Sequence, residues 1–289
     1  MPVITIGSVQ ITAVLDAPFL QDPAYLTPEH TAEFIAEHRD SLDERGLCLG
    51  AVTCYLVRTP LGLAIVDTGI GPRARRGFPD GRLDAALGEA GVAPGDVDLV
   101  IHTHLHSDHV GWNTVDAADG GIALFFPNAR FAIQRAEWEH WMTPERLADD
   151  ADPAATILRQ CVAPLAAAGR VDLVEPGDVL LGAIGFLAVP GHTPGHVAVD
   201  VADGGQRAVI IGDASHHPFQ VAHPDWPSPI DWDRDLAMAS RDALYDRAER
   251  EGLLIVGGHW PHPGWGRIER GADGRRRFRP EAAAPPPLG

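Results

Sequence analysis

One stretch, Asp98 to Asn113, reading DLVIHTHLHSDHVGWN, restricts this chain more than any other. It opens on Leu99, Val100 and Ile101, an apolar run of the length and branching of a buried strand, and then breaks into His104, His106, Asp108 and His109. Four potential metal ligands thus fall within six residues. Neutral imidazoles and carboxylates are the donors a zinc-like dication takes. In extended or turning backbone, alternation lets His104 and His106 point one way while Asp108 and His109 face a second point nearby. That arrangement suits two neighbouring ions better than one. A histidine-rich surface loop is the plainer alternative, and the buried strand ahead of the cluster argues against it.

Three more clusters follow in order: GHTPGH from Gly191 to His196, then Ile211-Gly212-Asp213, then Gly257-Gly258-His259. Together the four resemble the HxHxDH signature and later elements of the metallo-β-lactamase superfamily of hydrolases, and the resemblance runs along most of the chain. It implies an α+β (α/β) fold, the αββα sandwich, in which two mixed β-sheets face each other, flanked by helices, with ligands at strand ends converging on one edge. It also implies two divalent ions: His104, His106 and His192 on one, Asp108, His109 and His259 on the other, and Asp213 bridging both. Asp67 takes by resemblance a place behind the metals, where a carboxylate ending an apolar strand needs a hydrogen-bond partner in any case. His196, four residues after His192, takes by resemblance a supporting or structural role and not that of a ligand.

The sharing of Asp213 has a physical rationale. Two dications a few ångströms apart repel strongly, and a bridging carboxylate with a bridging hydroxide lowers that repulsion. Metals can bring the pKa of bound water to roughly 7, so the expected nucleophile is that bridging hydroxide, without a serine or cysteine. Asp108 and Asp213 are the expected catalytic carboxylates, Asp108 orienting the hydroxide or passing its proton to the leaving group. Zinc is the default ion, and the donors also admit iron, manganese or cobalt. Trp112, His216, His217, Phe219, Trp226, Trp260 and His262 lie just beyond ligand segments and are the expected pocket wall, apolar enough for an acyl chain or aromatic leaving group.

Length, charge and cysteines narrow the rest. At 289 residues, one hydrolase domain over residues 1–274 is expected, with 275–289, an arginine cluster and then a triple proline, as a loose tail. A net charge of −17 disfavours a phosphate-backbone partner. Three scattered cysteines without CxxC spacing, no basic leader and no run of membrane-spanning length make a cytoplasmic protein the expectation, with no nucleic-acid or membrane partner. Residues 17–50 read as irregular or helical, a candidate cover for the site mouth and a candidate homodimer surface. Pro153 to Ala168 reads as one helix. Asp233 to Arg250 reads as a long amphipathic one with Leu236, Ser240, Ala243, Leu244 and Arg247 at helical spacing.

The superfamily spans many activities, so the fold alone names no substrate. The acidic charge disfavours its nucleases, and the intact ligand set disfavours its one-iron and diiron redox members. What remains resembles its lactonase, arylesterase and methyl parathion hydrolase-like branch, through GHWPHPGWG and GDASHHP. The expected activity is metal-dependent cleavage of a small-molecule lactone or ester, as by a quorum-quenching lactonase or arylesterase. Phosphotriester (organophosphate) hydrolysis and β-lactamase-like activity are the alternatives, and a metal-binding sensor or scaffold or a mono-metal oxygenase are readings from other classes. Many acyl-homoserine lactonases carry a tyrosine soon after the bridging aspartate, where this chain has Ser215 and His216.

Overall fold

The computed structural model describes residues 1–73 and 80–282. The opening hairpin forms as the two β-rich runs predict, β1 (Val3–Ile6) against β2 (Val9–Gln21). Helices α1 (Pro23–Leu26) and α2 (Thr31–Glu37) precede a second hairpin, β3 (Cys48–Thr59) and β4 (Gly62–Val66). Then come α3 (Leu83–Glu89), β5 (Leu99–Ile101) and a small hairpin of β6 (Thr114–Asp116) and β7 (Ile122–Leu124). The first half ends with β8 (Arg130–Gln134), α4 (Arg135–Trp141), α5 (Pro144–Leu147), α6 (Pro153–Cys161), α7 (Ala163–Ala167) and β9 (Val171–Val174). The second half runs β10 (Val179–Leu180), β11 (Ile184–Ala188), β12 (Val197–Asp203), β13 (Gln206–Ile210), α8 (Phe219–Ala222), α9 (Arg234–Glu251), β14 (Leu254–Val256), β15 (Trp265–Arg270) and β16 (Arg276–Pro280).

Two mixed sheets result, ordered β1-β2-β3-β4-β5-β8-β9 and β10-β11-β12-β13-β14-β15-β16. They bury a shared layer that joins Ile11, Val57 and Ile101 of the first to Val199, Ile210 and Val256 of the second. α3 covers the outside of the first sheet through Leu83 and Leu87, and α9 the outside of the second through Leu244 and Tyr245. This is the αββα sandwich. Alternate residues of a strand face opposite sides, so a strand covered on both faces must be apolar throughout, as Leu99-Val100-Ile101 is.

Four expectations need correction. The segment from residue 17 is not irregular at its start, because β2 continues through Pro18 to Gln21 against β3. Pro18 is tolerated there because β1 stops pairing at Thr12 and no other described strand pairs with that edge of β2. The helix expected over 153–168 breaks between Cys161 and Ala163, where Pro164 has no N–H for the preceding turn. On α9 the buried face is Ala237, Arg241, Leu244, Tyr245 and Ala248, rotated by one residue from the expected stripe. Leu236 is exposed, and the face instead carries the guanidinium of Arg241, which bonds the backbone beneath it. Finally, Arg276–Pro280 is a strand and not a loose tail: β16 pairs with β15, Arg276 meets Asp242 and Asp246 of α9, and Phe278 packs edge-on against Trp260. The triple proline lies outside the described residues.

Candidate metal centre

The topology brings the ligand-bearing loops together. β4 and β5 are parallel neighbours with Val66 opposite Ile101, so the loops carrying Asp67 and the histidine cluster leave the first sheet side by side. β13 and β14 are likewise parallel, with Ile210 opposite Val256, which places Asp213 beside His259 at the matching edge of the second sheet. His192 comes from the turn joining β11 to β12. All seven side chains named from the sequence meet at this edge, and most are buried.

Their arrangement is two-sided. His104, His106 and His192 form one group and Asp108, His109 and His259 another. The two carboxylate oxygens of Asp213 divide between them. Its Oδ1 is 3.2 Å from Nε2 of both His109 and His259, while its Oδ2 is 3.5 Å from His192 Nε2 and 3.9 Å from His104 Nε2. Asp108 Oδ2 completes the second group at 3.3 Å from His259 Nε2. Donors held about 2.0 Å from a tetrahedral ion stand about 3.3 Å from one another, so these spacings fit a divalent ion in each group. His104 Nε2 is buried with no hydrogen-bond partner, the state of a donor atom shaped for a cation.

The far nitrogens of the rings are fixed from behind. His109 Nδ1 donates to Asp67 Oδ2 at 2.9 Å, His192 Nδ1 to Asp231 Oδ1 at 2.9 Å, and His259 Nδ1 to the carbonyl of Ala51 at 3.0 Å. Each bond turns Nε2 toward the centre. Asp67 also accepts from the backbone N–H and the hydroxyl of Thr103, and holds this aim from a left-handed φ of 58° that non-glycine residues seldom adopt. His196 Nε2 accepts the backbone N–H of Asp213 at 3.0 Å, so it orients the shared carboxylate.

Electrostatics divides the two groups. Burial holds His104 and His192 well below the ordinary histidine range and His106 down to about 4. Burial opposes charge at His109 and His259 too, but the carboxylates of Asp213 and Asp108, joined at His109 by Asp67, outweigh it. They raise His109 well above its usual value and His259 to about 9. A divalent ion taken up by this group would therefore displace protons.

Several supporting residues carry no sequence signal. Glu137 on α4 is buried and accepts from Leu105 N–H, Gly195 N–H, the Thr193 hydroxyl and the Trp141 indole, which ties the two histidine loops together. Asp16, set in a β-bulge of β2, accepts from Ile70 and Leu83 N–H and from the Trp112 indole. Fully buried Arg241 donates to the carbonyls of Ala214, Pro224 and Trp226 and stands 3.5 Å from Asp231. An isolated Asp or Arg in a sequence gives no notice of such roles. Gly111 is legible in hindsight, since any side chain there would strike the Ile70 carbonyl at 2.0 Å.

A cavity of about 740 Å³ opens over the clustered histidines and aspartates. Of the expected wall residues only His216 lines it, its Nε2 3.4 Å from Asp213 Oδ2. Trp112 points into the core beneath, Trp260 packs behind β14 with its indole on Ser215, and Phe219 and Trp226 fill a cluster under the amino-terminal segment. His217 and His262 face a separate cavity. Large rings close to ligands in sequence are spent on packing, because burying them is worth more than exposing them. The actual walls are Phe19, Tyr25, Leu26, Trp141, Ile157 and Ile230, from elements distant in sequence. The segment before β3 thus does reach the site mouth.

A fold of two facing mixed sheets with this edge of histidines and aspartates defines a class. The family model of the metallo-beta-lactamase superfamily matches residues 49–259, and the chain belongs to that superfamily. An N-acyl homoserine lactonase of Bacillus cereus is 25% identical over 225 residues, 72% of this chain and 80% of the relative. The N-acyl homoserine lactonase AttM of Azorhizobium caulinodans is 30% identical over 234 residues, 73% of this chain and 82% of its own. Among solved structures, the hydrolase AbOPH of the beta lactamase superfamily superposes with a TM-score of 0.85, and AidC, a dizinc quorum-quenching lactonase, with 0.82. Each is 25% identical, with 98% of both chains covered.

Proposed function

We propose that this protein is a metal-dependent hydrolase of small lactones or esters carrying an apolar acyl group. The observation that carries the reading is the placement of two three-ligand groups on opposite oxygens of Asp213, at the base of a largely apolar cavity. His104, His106 and His192 would hold one divalent ion, Asp108, His109 and His259 the other, and Asp213 both, zinc being the default. Such ions supply a nucleophile from water at neutral pH and a Lewis-acid hold on the carbonyl oxygen.

The chain's own groups do the rest. Asp213 and Asp108 place two carboxylates at the reacting centre, Asp108 at the edge that opens to the cavity, where it can accept a proton and return it to the leaving oxygen. His216 has both ring nitrogens buried and without hydrogen-bond partners, which leaves it able to bind a substrate oxygen. Tyr25, Leu26, Trp141 and Ile157 give an acyl chain an apolar bed and keep bulk water from it. The lactonase relatives point to N-acyl lactones as the first substrates to try.

The test is a turnover screen across N-acyl-homoserine lactones, aryl esters, thioesters, β-lactams and paraoxon, with and without a chelator. Chelator-sensitive turnover of lactones or aryl esters is expected. Turnover of none of the panel would sink the hydrolase assignment and favour a metal-binding sensor, and turnover of paraoxon alone would move the substrate class to phosphotriesters.

A further inference from the structure

A second set of metal-binding donors meets away from this edge. Glu37 ends α2 and His38 caps it, while His223 caps α8. One donor atom from each lies within 4.8 Å of the other two. Glu37 Oε2 stands 2.8 Å from His223 Nε2, and the His38 ring is nearly perpendicular to that of His223, with centroids 6.1 Å apart. His38 Nε2 is buried with no hydrogen-bond partner.

An ordinary histidine–carboxylate pair accounts for Glu37 and His223 but leaves His38 unexplained. A buried imidazole nitrogen gives up its solvation, and a hydrogen-bond partner or a cation must repay it; the described residues offer His38 Nε2 no hydrogen-bond partner. The surroundings favour a cation. His223 stacks on Trp226 at 3.9 Å between centroids, and Phe34 and Phe219 flank His38, so aromatic rings keep water from one side and strengthen coordination. On the other side Glu37 is partly exposed, and Arg275, 3.5 Å away, keeps its head in solvent, where it can yield to an incoming ion. Two imidazoles and a carboxylate are a borderline donor set that suits zinc before magnesium or calcium.

We propose that Glu37, His38 and His223 form a further divalent-metal site, filled by zinc, separate from the paired groups on Asp213. It joins the end of α2 to the end of α8. By that link it clips down the amino-terminal segment whose Tyr25 and Leu26 wall the cavity.

The experiment equilibrates the full-length wild type, His38→Ala and Glu37→Gln in one buffer of fixed free zinc and counts bound metal by mass spectrometry. The wild type should carry one equivalent more than either variant. Because the readout is a difference, it holds whatever the occupancy of the paired groups and needs no substrate. Wild-type crystals soaked in zinc and measured across its absorption edge give an answer that no folding defect of a variant can disturb. An anomalous peak among the three side chains supports the site. Equal metal content in all three proteins, or peaks confined to the loops around Asp213, overturns it.

Discussion

At the scale of single residues, the centre depends on what stands behind it. Asp67 accepts from His109 Nδ1 and from Thr103, and the positive partners that face it hold its carboxyl well below the usual range despite burial. Asparagine tolerates the left-handed backbone at this position as aspartate does, so Asp67→Asn removes charge without adding backbone strain. Metal affinity should fall about 10- to 100-fold, read by competition with a chromophoric chelator. Unaltered affinity would mean that His109 is aimed by something else. His216 offers a second test, because it faces the cavity beside Asp213 but outside the two three-ligand groups. His216→Phe keeps the ring shape and removes both nitrogens. We expect kcat/KM to drop at least about tenfold with the metal content unchanged. A matching loss of metal would make His216 a ligand instead.

At the scale of elements, α9 acts as a brace and not merely as cover. Its Arg241 gives hydrogen bonds to three carbonyls, one just after Asp213 and two just after α8, and stands beside Asp231, which orients His192. Taking away one partner of a buried charged network costs more than the network itself contributes, because what remains is unpaired and dry. Arg241→Leu should destabilise the protein by about 3–5 kcal/mol, a fall of roughly 10 °C in Tm, and weaken metal binding in the part that stays folded. Calorimetry with and without added zinc checks both. A Tm within about 2 °C of wild type would show that the loop holds its shape unaided. The rotated face of α9 is also why helical spacing alone misplaced its buried stripe: a 3.6-residue pattern finds apolar contacts, and this helix buries a guanidinium.

At the scale of the molecule, buried neutral histidines tie stability to pH. Burial lowers His217, which faces a cavity away from the metal groups, from 6.5 to about 3. Between those values the unfolded chain takes up a proton that the folded one refuses, so stability is complete above 6.5 and is lost as pH falls toward 3. His217→Gln keeps an acceptor for the Phe219 N–H and removes the titration. Urea unfolding at pH 7.5 and pH 5 should show the variant losing less stability than wild type, by on the order of 1 kcal/mol per pH unit below its ordinary value. Equal losses in the two proteins would assign the acid sensitivity to other groups.

The sequence alone determined the superfamily, the strand-then-ligand order and the seven residues that converge at the sheet edge. Those residues sit in short, locally patterned motifs whose chemistry is readable without neighbours. Tertiary structure alone decided what lines the cavity and what aims the rings. Asp231, Arg241, Glu137 and Asp16 act across 39, 27, 32 and 54 residues of sequence on His192, Ala214, Leu105 and Ile70. Trp112 and Trp260, beside the candidate ligands in the chain, turned inward, while Tyr25 and Ile157, remote from them, came to the mouth. A metal ligand is chosen by its donor atom, which one residue carries. A wall or a brace is chosen by position in space, and only the packing of the two sheets and their helices assigns it.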